Sequence, residues 1–326
     1  MADWRTGTVV SFDKLSPVLA LFKLRPEAGK AFPDYKAGQY IALRRDDCKL
    51  TRRVTGEDGK AHFLPDLDAQ GQQRTGPVAH SYSISSAPFE TLGGGELEFY
   101  VVLERGENEY PGRLTESFFR MAPGADDKVA YVERIAGDFT LEKRAAGARS
   151  VVMVGTGTGL APFAAMVKQL DHEAAAAAGR PDGVRYTLVH ANRTYEELAH
   201  HQAFLEVERA GRIDFAYVAS VSRPTERDRQ DPRLGQGRAN NVLRHLLGLP
   251  LREEELGDPA ALARTTRPTL PAALSADALR ARMEPGATVV LTCGNPDSME
   301  DIKRIAERAG FRFEKEDWKL VLPAKT

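Results

Sequence analysis

Cysteine is nearly missing from this chain of 326 residues, which carries only Cys48 and Cys293. A plant-type iron–sulfur cluster takes four closely spaced thiolates, so no such cluster is built into the chain. In a reducing compartment a disulfide between these two distant residues is not expected either. Net charge is almost absent as well, with 45 Lys and Arg against 46 Asp and Glu, which removes a global pull toward nucleic acid or membrane. No run of about 18 apolar residues occurs, so no membrane-spanning helix is expected. The N-terminus, Met1-Ala2-Asp3-Trp4-Arg5, lacks the basic and apolar blocks of a signal peptide, and a cytoplasmic protein is expected. Adjacent His200 and His201 would face different ways on a helix, and no third ligand stands near them, so no metal site is expected.

What is present is ordinary for a water-soluble globular chain: 42% hydrophobic and 28% charged residues. The length suits two domains with a core each. Thr8–Phe12, Val18–Leu24, Gln39–Leu43 and Glu96–Leu103 are short runs rich in β-branched and aromatic residues, punctuated by Pro17, Gly38, Pro88 and Gly93-Gly94-Gly95. That pattern predicts an antiparallel β-barrel over residues 1–146. Residues 52–78 read as an inserted hairpin or loop, and a helix is predicted over Thr115–Met121 with Thr115 as its N-cap. From Ser150 onward strands and helices alternate. Strands are predicted at Val151–Val154, Tyr186–His190, Ile213–Val221 and Thr288–Cys293, with helices from Leu160, over Tyr195–Ala210 and over Met299–Ala309. Residues 147–326 are therefore expected to form an α/β domain on a parallel sheet, with an insertion of unassigned purpose around 224–286.

Three segments carry chemistry. The first candidate, Gly155-Thr156-Gly157-Thr158-Gly159, follows a strand and opens a helix, so backbone N–H groups and the helix terminus offer a phosphate site. It departs from Gly-x-Gly-x-x-Gly, since Leu160 stands where the third glycine belongs, and Asn192-Arg193 replaces the acidic residue of an NAD site. Arg193, Ser222-Arg223 and Arg238 follow successive strands; arginines suit a ribose 2′-phosphate, although each alone reads equally as a solvated surface group. The second, His80-Ser81-Tyr82-Ser83, lies in the β-rich half and is matched further on by Gly112-Arg113-Leu114-Thr115, another glycine turn entering a helix. The third, Cys293-Gly294-Asn295-Pro296, ends the last core strand and enters a helix capped by Asp297 or Ser298. A lone cysteine there is otherwise a small buried hydrophobe.

In this order the segments resemble the ferredoxin–NADP reductase family of flavoproteins over nearly the whole chain. The resemblance implies FAD in the first domain, with Tyr82 along the isoalloxazine, Ser83 hydrogen-bonding near its N5, and Phe99, Tyr100, Val101 and Val102 along the flavin edge. It implies NADP(H) in the second domain, its pyrophosphate on Thr156, Gly157, Thr158 and Gly159, its 2′-phosphate on Arg193, Arg223 and Arg238, and Cys293 with Gly294-Asn295-Pro296 beside the nicotinamide. Trp318 takes the place of the C-terminal aromatic that shields the flavin, with a core or surface tryptophan as the alternative. His80 stands where the family has an arginine on the flavin diphosphate, and a structural histidine is the alternative. The implied activity passes hydride between NADP(H) and FAD and single electrons to a separate ferredoxin or flavodoxin. Arg44, Arg45, Lys49, Arg52 and Arg53 offer that carrier a basic patch, diluted by Asp46 and Asp47, with an ordinary solvated loop as the alternative. An NADH-dependent reductase component of an oxygenase and a non-catalytic redox-sensing subunit remain as alternatives.

Overall fold

Alternation decides the first half of the molecule. In Leu19–Arg25 the side chains of Phe22 and Leu24 turn inward while Lys23 and Arg25 turn to solvent. The structure, a computed structural model, describes residues 3–56, 59, 61–105, 110–177 and 183–316; Trp318 lies outside the described residues. Strands β1 (Trp4–Ser16), β2 (Leu19–Arg25), β3 (Tyr40–Lys49), β4 (Thr51–Thr55), β5 (Ala61–Pro65), β6 (Thr75–Ser83), β7 (Leu97–Val102) and β8 (Lys128–Ala136) build this half. Six of them form one antiparallel sheet in the order β6-β3-β8-β1-β2-β7, and β4 and β5 form a separate hairpin. The sheet curls so that its two edges approach, and beyond the end of β6 the Ser85 N–H donates to Glu98 O on β7 at 2.9 Å. Phe22 packs on Phe99 and Phe118 at 5.1 and 5.4 Å inside it.

Helix α1 (Arg113–Arg120) closes one end of this barrel with Leu114 and Phe118. Its cap is Gly112, not Thr115. Thr115 is the third residue of the helix, and its hydroxyl donates back to Gly112 O at 3.3 Å. After α2 (Leu141–Arg144) the pattern changes: β9 (Ser150–Thr156) is buried on both faces, as a central parallel strand must be. With β10 (Arg185–Asn192), β11 (Asp214–Val221), β12 (Gly235–Gln236), β13 (Thr288–Cys293) and β14 (Arg312–Lys315) it makes a parallel sheet in the order β12-β11-β10-β9-β13-β14.

Helices α3 (Ala161–Ala176) and α4 (His201–Ala210) cover one face through Phe163, Val167 and Phe204. After α5 (Glu226–Gln230), helix α6 (Ala239–Leu246) covers the other face; α7 (Arg252–Glu255) and α8 (Pro259–Arg264) lead to α9 (Ala276–Arg280) and α10 (Pro296–Arg308), which also pack there. Residues 224–286, expected as an insertion, thus supply edge strand β12 and two of the covering helices. The helix expected over Tyr195–Ala210 is broken. Tyr195–Glu197 is a 3-10 turn, His200 is left-handed at φ 60°, and α4 starts after it. The cause is a tertiary contact: Glu197 O accepts the Tyr100 hydroxyl at 2.6 Å, and also Asn192 Nδ2 at 2.6 Å, so it cannot serve a helical turn.

Candidate functional site

Strand order reverses between β9 and β13, the point where open α/β sheets bind ligands beyond the carboxyl ends of their strands. Both glycine segments meet there. A Cβ on Gly159 would lie 2.1 Å from Cys293 O, and one on Gly294, at φ 128°, would lie 2.1 Å from Thr156 Oγ1. Only glycine allows the two loops this approach. Thr156 Oγ1 accepts the Asn295 N–H at 3.2 Å, and Asn295 Oδ1 caps α10 from the Ser298 N–H at 3.1 Å, with Pro296 in its first turn. The cap is therefore Asn295 rather than Asp297 or Ser298. Thr156 and Asn295 spend these side-chain atoms on the interlock, and Gly157 and Thr158 remain at the lip of the loop.

A cleft of about 740 Å³ opens between the barrel edge and this loop, lined by His80–Ser83, Tyr100–Arg105, Tyr110–Thr115, Thr158 and Ala161, with Thr51 and Phe63 from the hairpin. Tyr82 contributes a ring held edge-on by Phe118 at 5.5 Å. Ser81 Oγ is buried with no hydrogen-bond partner among the described residues. His80 is half-buried, and burial, helped by nearby Arg113 and opposed by Glu104, holds its pKa below the ordinary value. It is a neutral donor here, not a cation. Gly112, Arg113, Leu114 and Thr115 present the start of α1 to the same cleft.

Strand β7 divides its expected contributors. Tyr100 and Val102 face the cleft side, and Val101 borders it, but Phe99 points into the barrel and stacks on Phe22. Period-two alternation explains the exception. Tyr100 also joins the two halves of the molecule, because its hydroxyl donates to Glu197 O and accepts Asn192 Nδ2 at 2.7 Å. Asn192 is buried and spends its amide on these contacts.

Ser83 lines the cleft, and behind it Ser83 Oγ donates to Glu316 Oε2 at 3.3 Å while the Cys293 thiol hydrogen-bonds the same carboxyl. Burial pushes the Glu316 carboxyl up to about 8, against the pull of those two hydrogen bonds. Cys293 is wholly buried, and burial first, then Glu316, raises its thiol well above the ordinary value. Sequence reasoning placed Ser83 and Cys293 here but missed Glu316. The signal available was faint: Glu316 stands one residue past the end of β14, the strand that pairs with the Cys293 strand, and Glu314 on that strand is an equally acidic competitor.

The three arginines share the carboxyl edge of β10, β11 and β12. The Arg223 N–H donates to Arg193 O at 2.8 Å, and the Ser222 N–H to Asn192 O at 2.8 Å, so the two loops run side by side. Arg223 is exposed. Arg193 is committed to buried Glu197, and Arg238, the residue before α6, lies 3.9 Å from Glu253. Among the described residues no cluster of three metal-ligating side chains occurs, and no helix is long and apolar enough to cross a membrane.

Residues 153–255 match the oxidoreductase NAD-binding domain family. The chain is 25% identical over 234 residues to a flavohemoprotein of Halalkalibacterium halodurans, a match covering 71% of this chain and 46% of that protein. A ferredoxin NADP+ reductase of Neisseria gonorrhoeae, solved with FAD and NADP, superposes with TM-score 0.58 at 17% identity, covering 97% of this chain and 99% of that one. The flavohem-like FAD/NAD binding domain of a Vibrio cholerae nitric oxide dioxygenase gives TM-score 0.57 at 18% identity, covering 95% and 98%. The chain thus carries an oxidoreductase NAD-binding domain within the two-sheet fold of the ferredoxin–NADP reductase family. Its match spans less than half the length of that flavohemoprotein.

Proposed function

We propose that the protein is an NADPH-dependent flavoprotein reductase, with residues 1–146 holding FAD, residues 147–326 holding NADP(H), and a separate ferredoxin or flavodoxin taking single electrons. The observation that carries the reading is the meeting of Ser83, Cys293 and Glu316 where the cleft of the barrel reaches the switch point of the parallel sheet. The cleft suits a flavin: it offers the Tyr82 ring face, the unsatisfied Ser81 hydroxyl and the start of α1 for a diphosphate. When bound, the flavin supplies the exchange between two-electron and one-electron chemistry. A hydride is two electrons and a proton, so single-electron delivery leaves one proton to dispose of per turnover. Ser83 Oγ and the Glu316 carboxyl form the chain's own path for it, and a group near pH 8 passes a proton in either direction. Cys293 packs behind the cleft with a neutral thiol. The basic patch on β3 and β4 is mostly neutralised: Arg44 pairs with Asp46, Arg45 with Asp47 and Asp126, and Lys49 with Glu116, which leaves Arg52 and Arg53 for an acidic carrier.

Titrating the purified protein with FAD should give the yellow spectrum of a bound flavin, and anaerobic NADPH should bleach it faster than NADH. A protein that takes up no FAD would sink the proposal. Arg223→Ala should raise KM for NADPH about tenfold, the worth of one charged hydrogen bond, and leave that for NADH nearly unchanged. Equal effects on both would remove the arginine from the 2′-phosphate. His80→Arg should tighten FAD several-fold by restoring a fork to the diphosphate. An unchanged flavin dissociation constant would show position 80 to be incidental.

A further inference from the structure

Glu197 is a buried carboxylate paired with one of the three edge arginines. Its side chain is 4% exposed, and it lies in the loop that leaves β10 at the proposed adenosine end of the dinucleotide site. Burial of a carboxylate requires a partner, and here the partner is Arg193. Arg193 Nε donates to Glu197 Oε2 at 2.9 Å, its backbone N–H donates to the same oxygen at 3.2 Å, and Nη2 donates to Oε1. Nη2 also reaches Ser16 Oγ of β1 at 3.4 Å. The pair cannot part cheaply, because Arg193 leaving would strand a buried negative charge. The backbone of Glu197 is fixed as well: its carbonyl is held by Tyr100 and Asn192.

We infer that Glu197 is a specificity-determining residue that lowers the affinity for a ribose 2′-phosphate by neutralising Arg193, so that discrimination falls on Arg223. The inference rests on the reading of this edge as the adenosine site. Arg193 is one half of a fixed, compensated pair with its side chain 38% exposed, whereas Arg223 is exposed and free of any carboxylate partner among the described residues. An incoming phosphate dianion therefore meets one cation with no carboxylate partner, on Arg223, while Arg193 has Glu197 directly behind its guanidinium and Arg238 has Glu253 3.9 Å from its own.

The test is calorimetric and needs no turnover. 2′-AMP and 5′-AMP, which differ in where the phosphate sits, are titrated into the full chain and into Glu197→Gln, which keeps the shape and an acceptor oxygen. The variant should bind 2′-AMP roughly 3- to 10-fold tighter, with 5′-AMP unchanged, and the gain should shrink at high salt. In the double variant Glu197→Gln/Arg193→Gln the gain should vanish, and that protein buries no unpaired charge, so its folding is not in question. Unchanged or weakened 2′-AMP binding in Glu197→Gln, beside normal binding by the unaltered protein, would overturn the role of Glu197 alone. Equal affinity of the unaltered protein for both nucleotides would overturn the adenosine site itself.

Discussion

Glu316→Gln should lower turnover about 100-fold, the usual worth of a positioned proton-transfer group, while nucleotide dissociation constants move little. The amide keeps the volume and can still meet the Ser83 hydroxyl, so packing behind the cleft is preserved. What it removes is the exchangeable proton. In the unaltered protein the carboxyl, held near 8 by burial, is mostly protonated at neutral pH, and its ionisation should appear as a limb in the pH dependence of kcat close to that value. In the variant the limb should disappear. Stopped-flow reduction by NADPH and steady-state turnover with a one-electron acceptor separate the two halves of the cycle. In the proposed cycle the proton leaves on the oxidative half, so that half should suffer more. Retention of full turnover, or an identical pH limb in the variant, would show that Glu316 only fills space.

Glu316 also shows where the sequence stops being readable. Gly159 and Gly294 announce themselves, because a strand, a glycine turn and a helix are adjacent in the chain and the physics of the turn is local. Glu316 acts on Ser83, 233 positions away, only because β14 pairs with β13 and brings its end to the carboxyl edge of the sheet. Nothing local marks it. Tyr100 and Phe99 divide for a similar reason: a strand's alternation is legible, but which parity faces the cleft depends on the curl of the whole sheet. The expected continuous helix from Tyr195 failed because a tertiary contact took a backbone carbonyl. Glu197 O was claimed by Tyr100 from another sheet, and helical propensity lost. The Arg193–Glu197 spacing of four was in plain view, yet it suggests an ordinary surface pair until burial of the carboxylate is known.

Acid should weaken the fold between pH 6.5 and 5 by roughly 2 kcal/mol, and Glu316→Gln should double that loss. His190 and His201 both direct Nδ1 at the Tyr217 hydroxyl, at 3.0 and 3.1 Å, inside the core between β10, β11 and α4. Burial drives their pKa values down to about 3 and about 4, with His200 and His201 adding repulsion at His190, and Arg233, opposed by Asp231, at His201. A base with a depressed folded pKa contributes stability above its unfolded value of 6.5 and loses it as pH falls toward the folded one. Each histidine therefore gives up about 1.4 kcal/mol per pH unit over this window. Glu316 has the opposite sign. Its folded value of about 8 exceeds the unfolded 4.5, so its contribution is full below 4.5 and lost as pH rises to 8. Two losses against one gain leave about 1.4 kcal/mol per unit in the unaltered protein, and about 2.7 in the variant. Urea denaturation from pH 5 to 8 reads the difference directly: the unaltered protein should peak near 6.5, while the variant should level off above it and stand roughly 3 kcal/mol higher at pH 7. Parallel curves for the two proteins would mean that Glu316 is ionised in the folded state, and the proton path through Ser83 would lose its reservoir.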